Sequence, residues 1–283
     1  MTAGLLAGQS VLQSAGAEST SKADIAVVEG NDPAGQTRKA VAMLGGIGRF
    51  VRKGARVIIL PNPQGRGAGL STNADMVAAV VRMSLEAGAA SVAVSSCHGQ
   101  GRWSSTGIIE KVRDAGGIMK YPGSARDWVT LDVPHSRVRS SLTVTRDAVE
   151  NDVLIDMPVF KQHDSTYITC TIKNLMGFNS DNESFHRDNE YLHRAITDLA
   201  SIIHPHLSIV DATTILTENG PFGPGRMAHP NRVYAGTDMV AVDAVCCKLL
   251  SIDPKTVSHL LLSQQGGLGN IDLTKKNIQT VTL

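Results

Sequence analysis

"ARVIILPNPQGRGAGLSTNADMVAAVVRMSLEAGAASVAVSS", residues 55–96, decides the fold. "ARVIILPN" is a short apolar run that stops at a Pro/Gly-rich loop, "PNPQGRGAG". "STNADMVAAVVRMSLEAGA" opens with residues that cap helices, keeps Met76, Val77 and Val80 at helical spacing, and ends at Gly88. "ASVAVSS" is a second short apolar run. Strand, helix, strand in this order predicts parallel strands joined by a crossover helix.

The same alternation extends in both directions. "DIAVVEG" reads as a first strand, and "TRKAVAMLGGIGRF" as a helix with Ala40, Met43, Leu44 and Ile47 on one face. "VRSSLTV" and "VLIDMPVF" read as later strands with "TRDAVEN" as a short helix between them. A helix over 189–203 follows, then strands "LSIVD" and "RVYAG", then helices in "TDMVAVDAVCCKLL" and "DPKTVSHLLLSQ". The expected fold is α/β, a layered, mostly parallel or mixed sheet with flanking helices. It forms one domain over 24–283, since neither Gly/Pro loop, 61–69 or 219–230, has the composition of a linker.

Composition limits the function classes. Of 283 residues, 42% are hydrophobic and 19% charged, which is a globular balance. A net charge of +1 gives no electrostatic footprint for nucleic acid. No run approaches the eighteen or so apolar residues of a membrane span. The four cysteines, Cys97, Cys170, Cys246 and Cys247, form no CxxC, so the chain has no iron–sulfur signature. At the start, "MTAGLLAGQSVLQSAGAEST" is small and mildly apolar, with "AGA" at 15–17 matching a cleavage site but no basic region before it. Residues 1–23 therefore read as the remnant of an export signal or as a disordered extension. Exported and cytoplasmic locations both stay open.

The chemistry concentrates in "PVFKQHDSTYITCTIKNLMG", residues 158–177. Alternation along a strand from Tyr167 to Ile172 would put Ile168, Cys170 and Ile172 in the core. Tyr167, Thr169, Thr171 and Lys173 would then form a row on the other face. Lys161 and His163 follow the strand "DVLIDMPVF", and Asp211 ends "LSIVD". Ligands of open parallel sheets sit beyond such carboxyl ends. Asp156 interrupts an apolar strand and must be paired or protonated. Asp243, within an apolar helix, reads as a paired structural carboxylate. His186, Glu190, His193 and His204 fall at the edge of the apolar stripe of the 189–203 helix, a spacing that suits a transition metal without matching HExxH. "ENGPFGPGR" is a tight turn whose Gly220, Gly223 and Gly225 let backbone approach a ligand. There is no GxSxG elbow, no P-loop and no full GxGxxG.

Residues 158–177 resemble the DUF362 proteins, a widespread prokaryotic family with a Pro-x-x-Lys-x-His…Thr…Lys-Asn-x-x-Gly pattern. The similarity runs over about residues 24–270. It implies the site positions Pro158, Lys161, His163, Thr169, Lys173, Asn174 and Gly177, with His186, Asp211, the "GPFGPG" turn, Asp238 and Asp243 as further matches. Leu60 stands where many relatives have lysine in a Lys-Pro-Asn segment, and the ferredoxin-like cysteine module of many relatives is absent from this chain.

The expectation is an enzyme acting on a small anionic substrate, with or without assistance from a divalent transition metal. Lys161, His163, Lys173 and Asp211 are its candidate catalytic groups. Thr169, Asn174, Gly177, Gly220 and Gly223 are candidate ligand contacts, and His163 with His186 the candidate metal ligands. The alternative is a non-catalytic exported protein that binds a metal or small ligand.

Overall fold

The computed structural model describes residues 22–283. The 1–21 part of the expected export remnant lies outside the described residues. The strands are β1 (Ile25–Glu29), β2 (Arg56–Pro61), β3 (Ser91–Ser95), β4 (Ile118–Lys120), β5 (Trp128–Asp132), β6 (Ser141–Thr145), β7 (Val153–Met157), β8 (Lys161–His163), β9 (Tyr167–Thr169), β10 (Leu207–Ala212), β11 (Ile215–Leu216), β12 (Met227–Ala228), β13 (Arg232–Gly236) and β14 (Ile278–Thr282). The α-helices are α1 (Pro33–Met43), α2 (Ala74–Glu86), α3 (Gln100–Trp103), α4 (Ile108–Asp114), α5 (Thr171–Asn174), α6 (Asn189–Ala200), α7 (Met239–Cys247) and α8 (Ser258–Gln265).

Eight strands form the main sheet in the order β14-β1-β13-β10-β7-β2-β3-β4. The run β10-β7-β2-β3-β4 is parallel throughout. β13 is antiparallel to both its neighbours, β1 and β10, and β14 is parallel to β1. Every strand but β13 therefore points the same way. Alternation along each central strand feeds two cores. Val57 and Ile59 of β2 pack with α1, α2 and α4; Ile58 and Leu60 pack with α5 to α8. A strand covered on both faces needs apolar side chains on both, which is why β2 and β7 read as near-continuous runs.

Several boundaries differ from the sequence reading. α1 starts at Pro33, which presets the first helical turn, and stops at Met43 before two glycines at positive φ. The "TRDAVEN" helix is a single 3-10 turn, Arg146–Ala148. β7 ends at Met157, where Pro158 breaks the ladder. β6 is the strand expected in "VRSSLTV", set in a hairpin with β5 outside the main sheet, while β4, β5 and β14 are additions. These strands are short or half-exposed, so their apolar content is thin.

The largest correction concerns the strand expected over Tyr167 to Ile172. β9 ends at Thr169, and the chain turns into α5 at Thr171. The buried carboxylate of Asp243 causes the turn. It accepts hydrogen bonds from the Thr171 N–H (2.9 Å), the Ile172 N–H (3.2 Å) and the Thr171 hydroxyl. These backbone donors would otherwise need a neighbouring strand. The expected row Tyr167, Thr169, Thr171, Lys173 is thus broken: Thr169 lies on a hairpin and Lys173 on a helix.

Candidate anion-binding cleft

A cleft of about 400 Å³ opens at the carboxyl ends of β2, β3 and β7. Its walls include Lys161, His163, Thr169, Lys173, Asn174 and Gly177, which sequence reasoning selected, together with His186 and Gly220. Asp164 is the one acidic side chain among its described lining residues.

Lys161 is carried to the cleft by backbone bonding. The segment after β7 stays beside β10, with Asp211 N–H donating to the Pro158 carbonyl (2.9 Å) and Phe160 N–H to the Asp211 carbonyl (2.8 Å). Phe160 is fully buried and fixes the start of β8. The β8–β9 register then sets Lys161 opposite Thr169 and His163 opposite Tyr167.

Lys161 is itself fully buried. Its Nζ donates to the Leu70 carbonyl at 2.8 Å. Burial, and then the neighbouring charge of Lys173, lower its pKa to about 7. Lys173 is partly buried, with Nζ 3.0 Å from the Met176 Sδ, a weak acceptor. Burial lowers its pKa to about 8. No carboxylate offsets either shift. An ammonium has three donors, so each lysine keeps bonding capacity for a ligand.

His163 is 5% exposed, and its Nδ1 accepts the Ser165 N–H at 3.1 Å. In the neutral ring, that bond leaves the proton on Nε2. Burial, with Lys173, His186, Lys161 and His193 nearby, pushes its pKa down to about 3. His163 is therefore a neutral N–H donor across the physiological range. A metal at Nε2 would need the lone pair there, and the Ser165 N–H would lose its acceptor. His186 has the opposite arrangement. Its Nδ1 donates to the Asn182 carbonyl at 2.7 Å, which leaves the Nε2 lone pair free. Among the described residues, no three His, Cys, Asp or Glu side chains are grouped to share a metal ion.

Asn174 joins two strand ends. Its amide N–H groups donate to the Leu60 carbonyl (3.1 Å) and to Asp156 (2.7 Å), and its oxygen accepts from Asn62 (3.0 Å). Asp156 is fully buried, and burial raises its pKa well above the carboxylate range. Gly177, in the 3-10 turn after α5, packs closely on β2: a Cβ there would lie 2.9 Å from Leu60 Cδ1. Gly220 presses on β8 still harder: a Cβ there would lie 1.8 Å from the Gln162 carbonyl oxygen.

Other candidates are placed elsewhere. The Asp211 carboxylate is 2% exposed and accepts from the Asn73 N–H (2.8 Å), the Thr213 N–H (3.0 Å) and the Thr213 hydroxyl (2.7 Å). It stands behind the lining and ties the start of α2 to β10. Gly223, at φ +73°, shapes the 219–225 turn and does not line the cleft. The histidine face of the 189–203 helix does not form. α6 starts at Asn189, capped by Asp188, so His186 precedes it. Glu190 is exposed and paired with Arg194, while His204 is exposed against the Ser201 carbonyl. His193 is buried against the ring of His259 in α8. Reading the sequence missed Arg102 and Asn182 as lining residues. A lone arginine on a one-turn helix carries no pattern to find.

The fold and cleft define an α/β protein with a cleft at its strand ends that two lysines line. The description "Domain of unknown function (DUF362)" matches residues 57–248, well over half of the chain. The chain belongs to the DUF362 family. It is 27% identical over 252 residues to the thylakoid-associated protein sll1697 of Synechocystis sp. (strain ATCC 27184 / PCC 6803 / Kazusa), covering 82% of this chain and 74% of that one. Among solved structures it is similar to a Thermotoga maritima protein at 13% identity and TM-score 0.47, and to the lactate racemase apoprotein of Thermoanaerobacterium thermosaccharolyticum at 10% identity and TM-score 0.43. These cover 78% and 80% of this chain, which spans 60% and 56% of theirs. No described helix is long and apolar enough to cross a membrane.

Proposed function

We propose that this protein is an enzyme whose cleft holds a small organic anion on Lys161 and Lys173. The observation that carries this reading is one fully buried and one partly buried lysine, neither paired with a carboxylate among the described residues, set in a cavity at the strand ends. Charges removed from water are stable only when paired. An anion supplies the missing partner, and the Nε2–H of His163 adds a neutral donor to its oxygens. Lys161, with a pKa of about 7, is matched to proton transfer near neutrality, which favours an enzyme over a passive binder. His163 takes the role of holding the anion and Asp211 that of positioning β8.

The test is thermal shift and calorimetric titration with a panel of carboxylates and phosphates. Wild type is compared with Lys161→Met and Lys173→Met. Stabilisation by an anion, lost in both variants, is the expected result. Equal responses in all three proteins would sink the reading. Turnover of a bound anion, followed by NMR, separates the enzyme from the non-catalytic binder. Metal content by mass spectrometry, compared in wild type, His163→Ala and His186→Ala, tests the metal-assisted form.

A further inference from the structure

We infer that the ligand carries two anionic groups, one held by Lys161 and Lys173 and the other by Arg102, which lines the same cleft from the segment after β3. This deepens the proposed function and rests on it. Arg102 belongs to α3, which is anchored by the fully buried Trp103, whose indole lies 3.4 Å from the His98 carbonyl. The helix is thus fixed to the protein, yet the Arg102 side chain is exposed at the cleft and has no ion pair among the described residues. An anchored backbone with a free guanidinium is a planar fork without its carboxylate or phosphate.

The cations fall into two sets. Lys161, Lys173 and His163 come from β8 and α5, and each lysine perturbs His163. Arg102 and His98 come from the loop and helix after β3. His98 is lowered to about 4 by burial and then by Arg102. β2 stands between β3 and β7, the strand that leads to Lys161, so the two sets are about two strand spacings, roughly 10 Å, apart. A single compact anion cannot neutralise both sets, whereas a molecule with an anionic group at each end can. About 400 Å³ lies within the range of small-metabolite cavities. Apolar lining from Pro61, Met176 and Phe222 suits the carbon chain between the two ends.

The experiment titrates wild type, Arg102→Gln and Lys173→Met with two matched series. One is the dicarboxylates from malonate to adipate; the other is the monocarboxylates of equal chain length. Wild type should bind the best dicarboxylate at least tenfold more tightly than its monocarboxylate match. Arg102→Gln should erase that advantage while weakening the monocarboxylates far less than the dicarboxylates, whereas Lys173→Met should weaken both series. Arg102 is exposed, so the variant is expected to keep its melting temperature. If both series bind equally, or if the advantage survives Arg102→Gln, the two-ended ligand is overturned while the anion site stands. Failure of every anion to bind would overturn both.

Discussion

Two fully buried charges, Asp198 and Lys161, are treated in opposite ways by the same fold. Asp198 accepts the N–H groups of Arg137 (2.8 Å), Val138 (2.8 Å) and Arg139 (2.9 Å), and the Arg137 guanidinium stands 3.9 Å away. Its charge is answered from within, so it fastens the 137–139 loop to α6. Lys161 has one carbonyl and a second lysine for company. The satisfied charge is a structural device, and the unsatisfied one is where the proposed anion would be seated.

The contrast can be broken first at its structural end. Asp198→Ala leaves three loop N–H donors without an acceptor and should cost about 3–5 kcal/mol in urea unfolding. Anion binding by the protein that remains folded should be unchanged. At the other end, the drop of Lys161 from 10.5 to about 7 is worth on the order of 4 kcal/mol against folding at neutral pH. Lys161→Met should therefore raise stability by about 2 kcal/mol, after the loss of the bond to Leu70, while abolishing anion binding. A variant that loses both stability and binding would mean that Lys161 is structural after all.

The pH dependence follows with a definite sign. Between about 7 and 10.5 the unfolded lysine holds a proton that the folded one has released, so wild-type stability should rise with pH across that window. Anion affinity should move the other way: full below about 7, it should fall as Lys161 and then Lys173, at about 8, lose their charge. Chemical denaturation and titration calorimetry from pH 6 to 9.5 read both slopes. Smallest of all, His163→Gln removes one neutral donor and should weaken binding by about 1 kcal/mol with little change in unfolding. A complete loss would give His163 a larger part than holding the anion.

The parallel sheet was legible because β2, α2 and β3 follow one another with clean periods, and because both faces of β2 and β7 are covered. The reversal of β13 was not, since "RVYAG" reads the same in either direction. Lys161, His163 and Lys173 were legible as residues that have no reason to follow a buried strand. Their roles were not. The His163 tautomer depends on an N–H two residues away, and the strand across Thr171 ends because of a carboxylate seventy-two positions later. Such long-range hydrogen bonds leave no local pattern. Asp211 looked like a site residue for a related reason: its place at a strand end is right, but its carboxylate is already spoken for by Asn73 and Thr213.

Asn174 has one more consequence. By clasping the Leu60 carbonyl, Asp156 and Asn62 at once, it sets the spacing between the ends of two adjacent strands. The floor of the cavity is consequently inherited with the sheet. The walls that carry Arg102 and Phe222 come from the segments after β3 and β11 and add nothing to that clasp. Divergence in what the cleft holds should then be written in its outer walls, over a floor that the sheet itself fixes.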